Sequence, residues 1–118
     1  MPKYNYPDWN ETRDHPEKKI RKLTEAKVVS VTDFATNPHN IFAAHEFLAM
    51  TDGALAIKFT VQFNLFGGSV FALSTDRHKH LFSKIDDLSV FGCFCLTELG
   101  FGNNAVKMET TATYDEKT

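Results

Sequence analysis

Cysteine is scarce in this chain of 118 residues: the sequence has two, Cys93 and Cys95, with one residue between them. We expect no ordinary disulfide between positions so close, with the two sulfurs on opposite faces of a strand, and this usage fits a reducing compartment. No zinc site is predicted, because zinc knuckles usually separate paired cysteines by about two to four residues. His78 and His80 do not complete one, since such positions diverge by about 200° on a helix.

Net charge of one sign is also lacking. The formal charge is −2 and the pI is about 6.2, so no overall field favours nucleic acid or an anionic membrane as a partner. No segment reaches the ~20 apolar residues of a membrane span, so no span is predicted. Residues 1–19 contain no apolar signal-peptide core, and the Gly-x-Ser-x-Gly motif of serine hydrolases is absent.

Phenylalanine, in contrast, is plentiful. The chain has eleven, and 42% of its residues are hydrophobic. Length and composition predict one globular domain. Each buried ring contributes on the order of 2 kcal/mol, so this number of rings requires either a large core or a partner surface.

The first 31 residues predict a lead-in followed by a helix. Residues 1–15 are rich in Pro, Asn and Asp and are predicted to be extended. A helix is then predicted from Pro16, in its first turn, through Ile20 and Leu23 to Val31, because the apolar residues recur at steps of three and four.

Two further helices are predicted downstream. Asn37-Pro38 is a turn signal that introduces a helix ending before Asp52. A Ser or Thr cap and Asp76 begin another helix, whose Ile85 faces the core.

The segment between these helices, residues 54–66, has two readings. Apolar residues at alternate positions favour a strand slightly, whereas Leu55, Phe59, Phe63 and Phe66 also form a helical stripe. Gly67-Gly68 follows and is a signal for a break after this segment. Further on, residues 88–96 and 109–115 are β-like, and residues 97–104 are predicted to be a loop.

Local motifs in this last region are weak by themselves. Gly100–Ala105 reads "GFGNNA" and matches a dinucleotide-binding pattern, but neither the required helix nor the later acidic residue follows. Glu98 could act as a general base, although a carboxylate at a strand end more often accepts hydrogen bonds from the turn. His45 lies on an apolar helix face and is predicted to be a packed, hydrogen-bonded side chain.

The whole run "GCFCLTELGFGNNAVKMETTATYD", residues 92–115, closely resembles the flavin-site signature of the acyl-CoA oxidases, within the acyl-CoA dehydrogenase superfamily. The resemblance covers about residues 39–115 and implies that residues 52–66 are helical. It implies an α+β fold: an all-α N-terminal helical domain over 16–88, after the lead-in 1–15, and the first strands of an incomplete middle β-barrel domain over 89–118. Strand Val90–Leu96 would open that second domain.

The resemblance also implies a function. Members of the family oxidise fatty acyl-CoA to trans-2-enoyl-CoA in fatty-acid β-oxidation, with FAD as cofactor and O2 as acceptor. The positions that match the family's motif are implied to bind FAD (Phe94, Leu96, Thr97, Gly100 and Gly102) and acyl-CoA (Asn103 and Asn104). A homodimer of the full-length enzyme and a peroxisomal location are implied as well.

The sequence departs from the family pattern in two ways. Asn103 stands where Ser or Thr is usual, and Phe101 where His or a small residue is usual, which affects the positioning of acyl-CoA. The family's catalytic glutamate has no counterpart, so the chain resembles an N-terminal piece that is inactive alone. Two alternatives stay open: a piece of an acyl-CoA dehydrogenase, and a non-catalytic interaction module that retains the helical half.

Overall fold

The computed structural model describes residues 9–117, with side chains from residue 14 onwards. Helices dominate the first three quarters of this range. They are α1 (Trp9–Glu25), α2 (Asp33–Thr36), α3 (Pro38–Thr51), α4 (Gly53–Phe59), a π-helical segment (Thr60–Gly67), α5 (Gly68–Leu73), a 3-10 turn (Asp76–His78), α6 (His80–Asp86) and a 3-10 turn (Ala105–Lys107). The helical part of the predicted fold is thereby confirmed.

Helix α1 is displaced from its predicted position. It begins at Trp9, so the extended lead-in predicted over 9–15 is wrong, while residues 1–8 lie outside the described residues. Pro16 lies inside the helix rather than in its first turn. Pro16 and Ile20 are both buried, four residues apart on one face, so packing holds a proline at an interior position. The helix ends at Glu25 instead of Val31, and Lys27 has a φ of 51°.

Helices α4, π and α5 run without interruption over Gly53–Leu73. The strand favoured by alternation is therefore wrong, and the helix implied by the family resemblance is confirmed. Leu55, Phe59 and Phe63 are buried on one side, whereas the alternating Ile57 is 68% exposed. Apolar residues on several faces of one helix had produced the strand-like pattern.

This same helix meets the length and composition of a membrane crossing, with 28% of its most apolar window buried. The signal is weak, because the core helix of a globular protein passes the same test. The expectation of no membrane span therefore stays a prediction.

Helix α3 has its predicted limits, with Pro38 at its start and Thr51 at its end. It packs beside α4, and Asp52 joins the two: its Oδ1 accepts a hydrogen bond from Leu55 N at 3.1 Å, and its Oδ2 contacts Lys19 Nζ of α1 at 2.5 Å. One carboxylate thus caps α4 and ties α1 to it.

The hydrophobic core lies between α1, α3, the Gly53–Leu73 helix and α6. Phe59 and Phe63 stack at its centre with ring centroids 4.8 Å apart. The largest fully buried side chains are Phe59, Phe63, Ile20, Ile41, Ile85 and Val31. Several other rings, among them Phe42 at 67% and Phe47 at 60%, are exposed, which agrees with the expectation that some of the phenylalanines need a partner surface.

The strands predicted over 90–96 and 109–115 are not formed within the part of the chain that the structure describes. The β-type pairing present there is an isolated antiparallel bridge between Glu98 and Gly102. A two-stranded hairpin without further strands is marginally stable, which gives a physical reason for the difference. The domain boundary predicted at residues 88/89 stays a prediction.

The Asp86 carboxylate fastens α6 to the connection between α1 and α2. Its Oδ1 accepts from Val31 N at 2.9 Å, and its Oδ2 accepts from Ser30 Oγ at 2.6 Å. Val31 is completely buried, so losing the carboxylate would leave its N–H without a partner in a dry environment.

We therefore expect Asp86→Ala to lower the free energy of unfolding by about 1–3 kcal/mol, the cost of an unsatisfied buried donor. Chemical denaturation of the two proteins measures it. Asp76→Ala is the matched control: its ion pair with Lys79 is exposed, so a change below about 0.5 kcal/mol is expected. Equal losses for the two variants would contradict the role of Asp86.

Candidate functional site

A buried glutamine positions the segment that follows α6. Gln62, in the π-helical segment, is 3% exposed. Its Nε2 donates to the carbonyl oxygens of Ile85 at 3.3 Å and Val90 at 2.8 Å, and its Oε1 accepts from Gly92 N at 3.4 Å. Both ends of one amide therefore hold residues 85–92 against the long helix.

Gly92 allows a second close approach at this point. A Cβ at residue 92 would lie 2.0 Å from Cγ of Phe66, inside the ring itself. Only glycine permits this packing, and it fixes where the chain leaves the helical core and enters residues 93–97.

Beyond this point the chain closes a turn through Glu98. The backbones of Glu98 and Gly102 exchange two hydrogen bonds, of 3.0 and 2.8 Å, and Gly102 has a φ of +58° that favours glycine. The Glu98 carboxylate accepts from the backbone N–H groups of Glu109 at 2.8 Å and Thr110 at 2.7 Å, and from the Thr110 hydroxyl.

These bonds decide between the two readings of Glu98. The Thr110 hydroxyl first, and then the backbone N–H of Glu109, hold the pKa of the Glu98 carboxyl below its usual range. A carboxylate that is fully occupied in this way is the predicted hydrogen-bond acceptor of the turn and a poor proton acceptor.

The structure brings two of the predicted site residues into direct contact. The Thr97 hydroxyl donates to Oδ1 of Asn103, across the turn that Glu98 and Gly102 close. Both residues are exposed. Asn103 thus sets the direction of the Thr97 hydroxyl group, a role that the sequence did not suggest.

The other predicted residues surround this pair. Phe94 is 44% exposed and Leu96 is half-buried, whereas Gly100, Gly102 and Asn104 are exposed on the turn. Across residues 9–117, no hydrogen bond uses the backbone N–H of Leu96 or Thr97. The backbone immediately before the turn therefore has two donors that make no hydrogen bond among the described residues.

The two cysteines correct one prediction. Their sulfurs do not point to opposite faces: Cys93 Sγ and Cys95 Sγ are 3.5 Å apart, and both thiols are free and exposed. Side chains two residues apart in an extended chain lie on the same side, so the expectation was physically wrong. The hydrogen bond with Cys93 raises the pKa of the Cys95 thiol.

Three of the five histidines have structural partners. His45 Nε2 lies 2.9 Å from Thr60 Oγ1 and 3.0 Å from Asn64 Nδ2, which confirms a packed, hydrogen-bonded side chain. His78 contacts the Thr75 hydroxyl at 3.0 Å, and His80 contacts the Arg77 carbonyl at 2.8 Å. No group of three or more potential metal ligands occurs among the described residues.

Sequence reasoning missed a cavity of about 390 Å³ beside the Gln62 anchor. It lies between α1, the long helix and residues 91–92. The Arg21 guanidinium carbon lies 5.5 Å from the centroid of the Phe91 ring, which lines the cavity. Its lining residues are Glu17, Ile20, Ile57, Lys58, Val61, Gln62, Phe91 and Gly92. The sequence feature that could have indicated this cavity was a single amide side chain, Gln62, within an apolar helical run.

Comparison with known proteins agrees with the resemblance seen in the motif. The chain is 41% identical over 97 residues to peroxisomal acyl-coenzyme A oxidase 2 of Arabidopsis thaliana, which covers 81% of this chain and 14% of that protein. The chain is related to the acyl-CoA oxidases. Peroxisomal acyl-coenzyme A oxidase 3 of Homo sapiens is 35% identical over 100 residues, covering 85% of this chain and 14% of the relative. Acyl-coenzyme A oxidase 2 of Candida tropicalis is 32% identical over 111 residues, which cover 89% of this chain and 15% of that protein.

The chain thus spans about one seventh of the length of these acyl-CoA oxidases. No protein-family model matches it, and no solved structure matches it. The relation to the acyl-CoA oxidases therefore rests on sequence similarity over this part of their length.

The turn of this acyl-CoA oxidase relative should open in acid. Because the pKa of Glu98 is lowered in the folded chain, the contacts of its carboxylate are complete above the ordinary glutamate pKa of about 4.3 and are lost as pH falls through its lower folded value. We expect the amide resonances of Glu109 and Thr110 to move together over this acidic range in an NMR titration.

Glu98→Gln should remove the shared transition, since the amide does not titrate. Glu25→Gln, at an exposed position in α1, is the control and should leave it unchanged. A transition that persists in Glu98→Gln would show that another group closes the turn.

Proposed function

We propose that this chain forms the flavin-facing part of an FAD-dependent acyl-CoA oxidase, which oxidises fatty acyl-CoA to trans-2-enoyl-CoA in fatty-acid β-oxidation with O2 as the electron acceptor. The similarity to acyl-CoA oxidases over 81–89% of the chain supports it. The observation that carries it is the exposed Thr97 hydroxyl, oriented by Asn103 and preceded by free backbone donors.

The residues present fit a flavin. A Cβ at Gly100 would meet only Oε2 of Glu109, at 3.9 Å, and one at Gly102 would meet nothing within 4 Å. The space beside the Cα atoms of these two glycines is therefore open to an approaching ring or phosphate. FAD, when bound, supplies the hydride-accepting chemistry that side chains lack.

In this proposal Leu96 and Thr97 contribute their backbone N–H groups as hydrogen-bond donors to the flavin edge. The Thr97 hydroxyl, whose single proton is donated to Asn103 in the chain alone, would turn from Asn103 to donate to the flavin. Such preorganised donors stabilise negative charge that develops on a ring. Phe94 adds apolar contact, and Gly100 and Gly102 let the backbone approach closely. The amide side chains of Asn103 and Asn104 would bind the acyl-CoA.

Proton abstraction is not assigned to the described residues. The one carboxylate in the turn, Glu98, is committed to holding residues 109–110. The α-proton acceptor would thus come from elsewhere in the enzyme, and the chain alone would be inactive. Residues 90–96 and 109–115 would pair as strands once further strands of a β domain are present.

We extend the proposal to an enzyme located in peroxisomes, because two of the relatives above are named peroxisomal. That the full-length enzyme is a homodimer is part of the proposal through the family resemblance alone. A second candidate, an interaction module without catalysis, has one observation in its favour. Phe42, Phe47 and Met50 of α3 are each at least 60% exposed, an apolar surface that a partner could cover.

A chimera separates these candidates. Replacing the matching residues of the Arabidopsis thaliana relative with this chain should give a protein that retains FAD and forms hydrogen peroxide from fatty acyl-CoA. Thr97→Ala in the chimera should lower kcat by roughly 10²-fold, as loss of one preorganised donor does. Peroxide formation and flavin absorbance are the measurements.

The control for the chimera is Thr36→Ala, which removes an exposed hydroxyl that bonds within its own turn of helix. It should leave kcat unchanged. A chimera that folds without FAD would favour the interaction module, and full activity of Thr97→Ala would contradict the role of Thr97. The isolated 118-residue chain should form no peroxide.

A further inference from the structure

The sulfurs of Cys93 and Cys95 form a pair that the proposed flavin chemistry does not use. They lie 3.5 Å apart, and both side chains are exposed to solvent. The chain has no other cysteine. A disulfide requires about 2.05 Å between the sulfurs, so closure needs a relative movement of about 1.5 Å.

The surrounding structure allows that movement. Residues 93–97 belong to no helix or strand in the structure, so no ladder of backbone hydrogen bonds opposes a change at Cys93 to Cys95. On the preceding side Gly92 is fixed by Gln62 and by its packing on Phe66. The pair is therefore presented from a fixed base on a segment that can adjust.

We propose that Cys93 and Cys95 form a redox-active dithiol that hydrogen peroxide oxidises to a reversible intramolecular disulfide. A disulfide across a single intervening residue is strained and exposed, and disulfides of that kind are the readily reduced ones rather than permanent structural bridges.

The reaction balances at the two sulfurs. The Cys93 thiolate attacks one oxygen of hydrogen peroxide, the O–O bond breaks, and the departing hydroxide takes up the proton that Cys93 had released. Cys93 then carries a sulfenic acid. The Cys95 sulfur attacks it, the S–O bond breaks, and water leaves with the Cys95 proton. Two thiols lose two electrons and one peroxide molecule gains them.

The division of roles follows from the contact between the sulfurs. The hydrogen bond with Cys93 raises the pKa of Cys95, so Cys95 is less readily deprotonated and Cys93 is the sulfur that reacts with peroxide first. Peroxide is also the product of the oxidase reaction proposed above. Only that source of peroxide rests on the proposed function, and the chemistry of the two thiols does not.

The test uses the 118-residue chain and added hydrogen peroxide, with no flavin or acyl-CoA. Trypsin cleaves after Lys84 and Lys107, which gives a peptide of residues 85–107 with both cysteines and no methionine. We expect this peptide to lose about 2 Da, two hydrogen atoms, after peroxide treatment, and to regain them with dithiothreitol. Free thiols, counted with a chromogenic disulfide reagent, should fall from two to zero and return.

Variants assign the steps. In Cys95→Ser the reaction should stop at a sulfenic acid that dimedone traps on Cys93, and no 2 Da loss should appear. In Cys93→Ser no 2 Da loss should appear either, because Cys95 then has no second cysteine sulfur in the chain to pair with. Both positions are exposed, so serine leaves the helical core intact, which circular dichroism checks.

Two outcomes would overturn the proposal. One is conversion of the peptide to sulfinic or sulfonic acid without a disulfide stage. The other is formation of dimers that reducing agent separates, which would show that the sulfurs of one chain do not react with each other. Since no flavin is present, either outcome leaves the proposed oxidase function untouched.

Discussion

The arrangement of the candidate site depends on the buried amide of Gln62. A polar group at 3% exposure in an apolar helix is costly unless its hydrogen bonds are made, and here both its nitrogen and its oxygen have partners. Those partners are backbone groups of the segment that follows α6. One side chain therefore holds this segment against the helical core and fixes where the next residues begin. The packing of Gly92 on the Phe66 ring adds a steric restriction to the same path. These two contacts fix where the segment that leads to Thr97 leaves the helical core.

The turn that follows is closed by its own residues rather than by the core. The Glu98 carboxylate accepts hydrogen bonds from the backbone N–H groups of residues 109–110, and Asn103 Oδ1 accepts one from the Thr97 hydroxyl. This leaves an exposed surface with free backbone donors beside Leu96, next to exposed aromatic side chains such as Phe94. A surface of that kind is suited to covering by a flavin and by further strands, which connects the exposed apolar area to the proposed enzyme. The dithiol of Cys93 and Cys95 lies between the fixed Gly92 and this turn. Its oxidation state would therefore affect the backbone course of the residues that join them.

Much of the helical fold was predictable because its signals are local. The Asn37-Pro38 turn and the helix after it follow from capping and spacing, and the structure agrees. The helix containing Ile85 is also present, but it begins at His80, and the predicted start at Asp76 is a separate 3-10 turn. Two predictions failed where tertiary packing overrides a local preference: Pro16 lies inside α1, and the alternating residues of Gly53–Leu73 are helical. For the second of these, the family resemblance implied a helix where alternation favoured a strand. The partners of Gln62 and Glu98 could not be predicted, since they depend on contacts between residues 11 to 30 positions apart, and the relation of the two cysteines was misjudged from the geometry of a strand.

The most direct test of the Gln62 anchor is the NMR signal of the Gly92 α-protons. Because Gly92 packs against the Phe66 ring, we expect these protons to be shifted upfield by the ring and to show a nuclear Overhauser effect to it. Gln62→Met keeps the length of the side chain and removes its hydrogen bonds, so both signals should disappear while the contact between the stacked rings of Phe59 and Phe63 is retained. Persistence of the Gly92 signals in Gln62→Met would contradict the claim that this amide positions the candidate site.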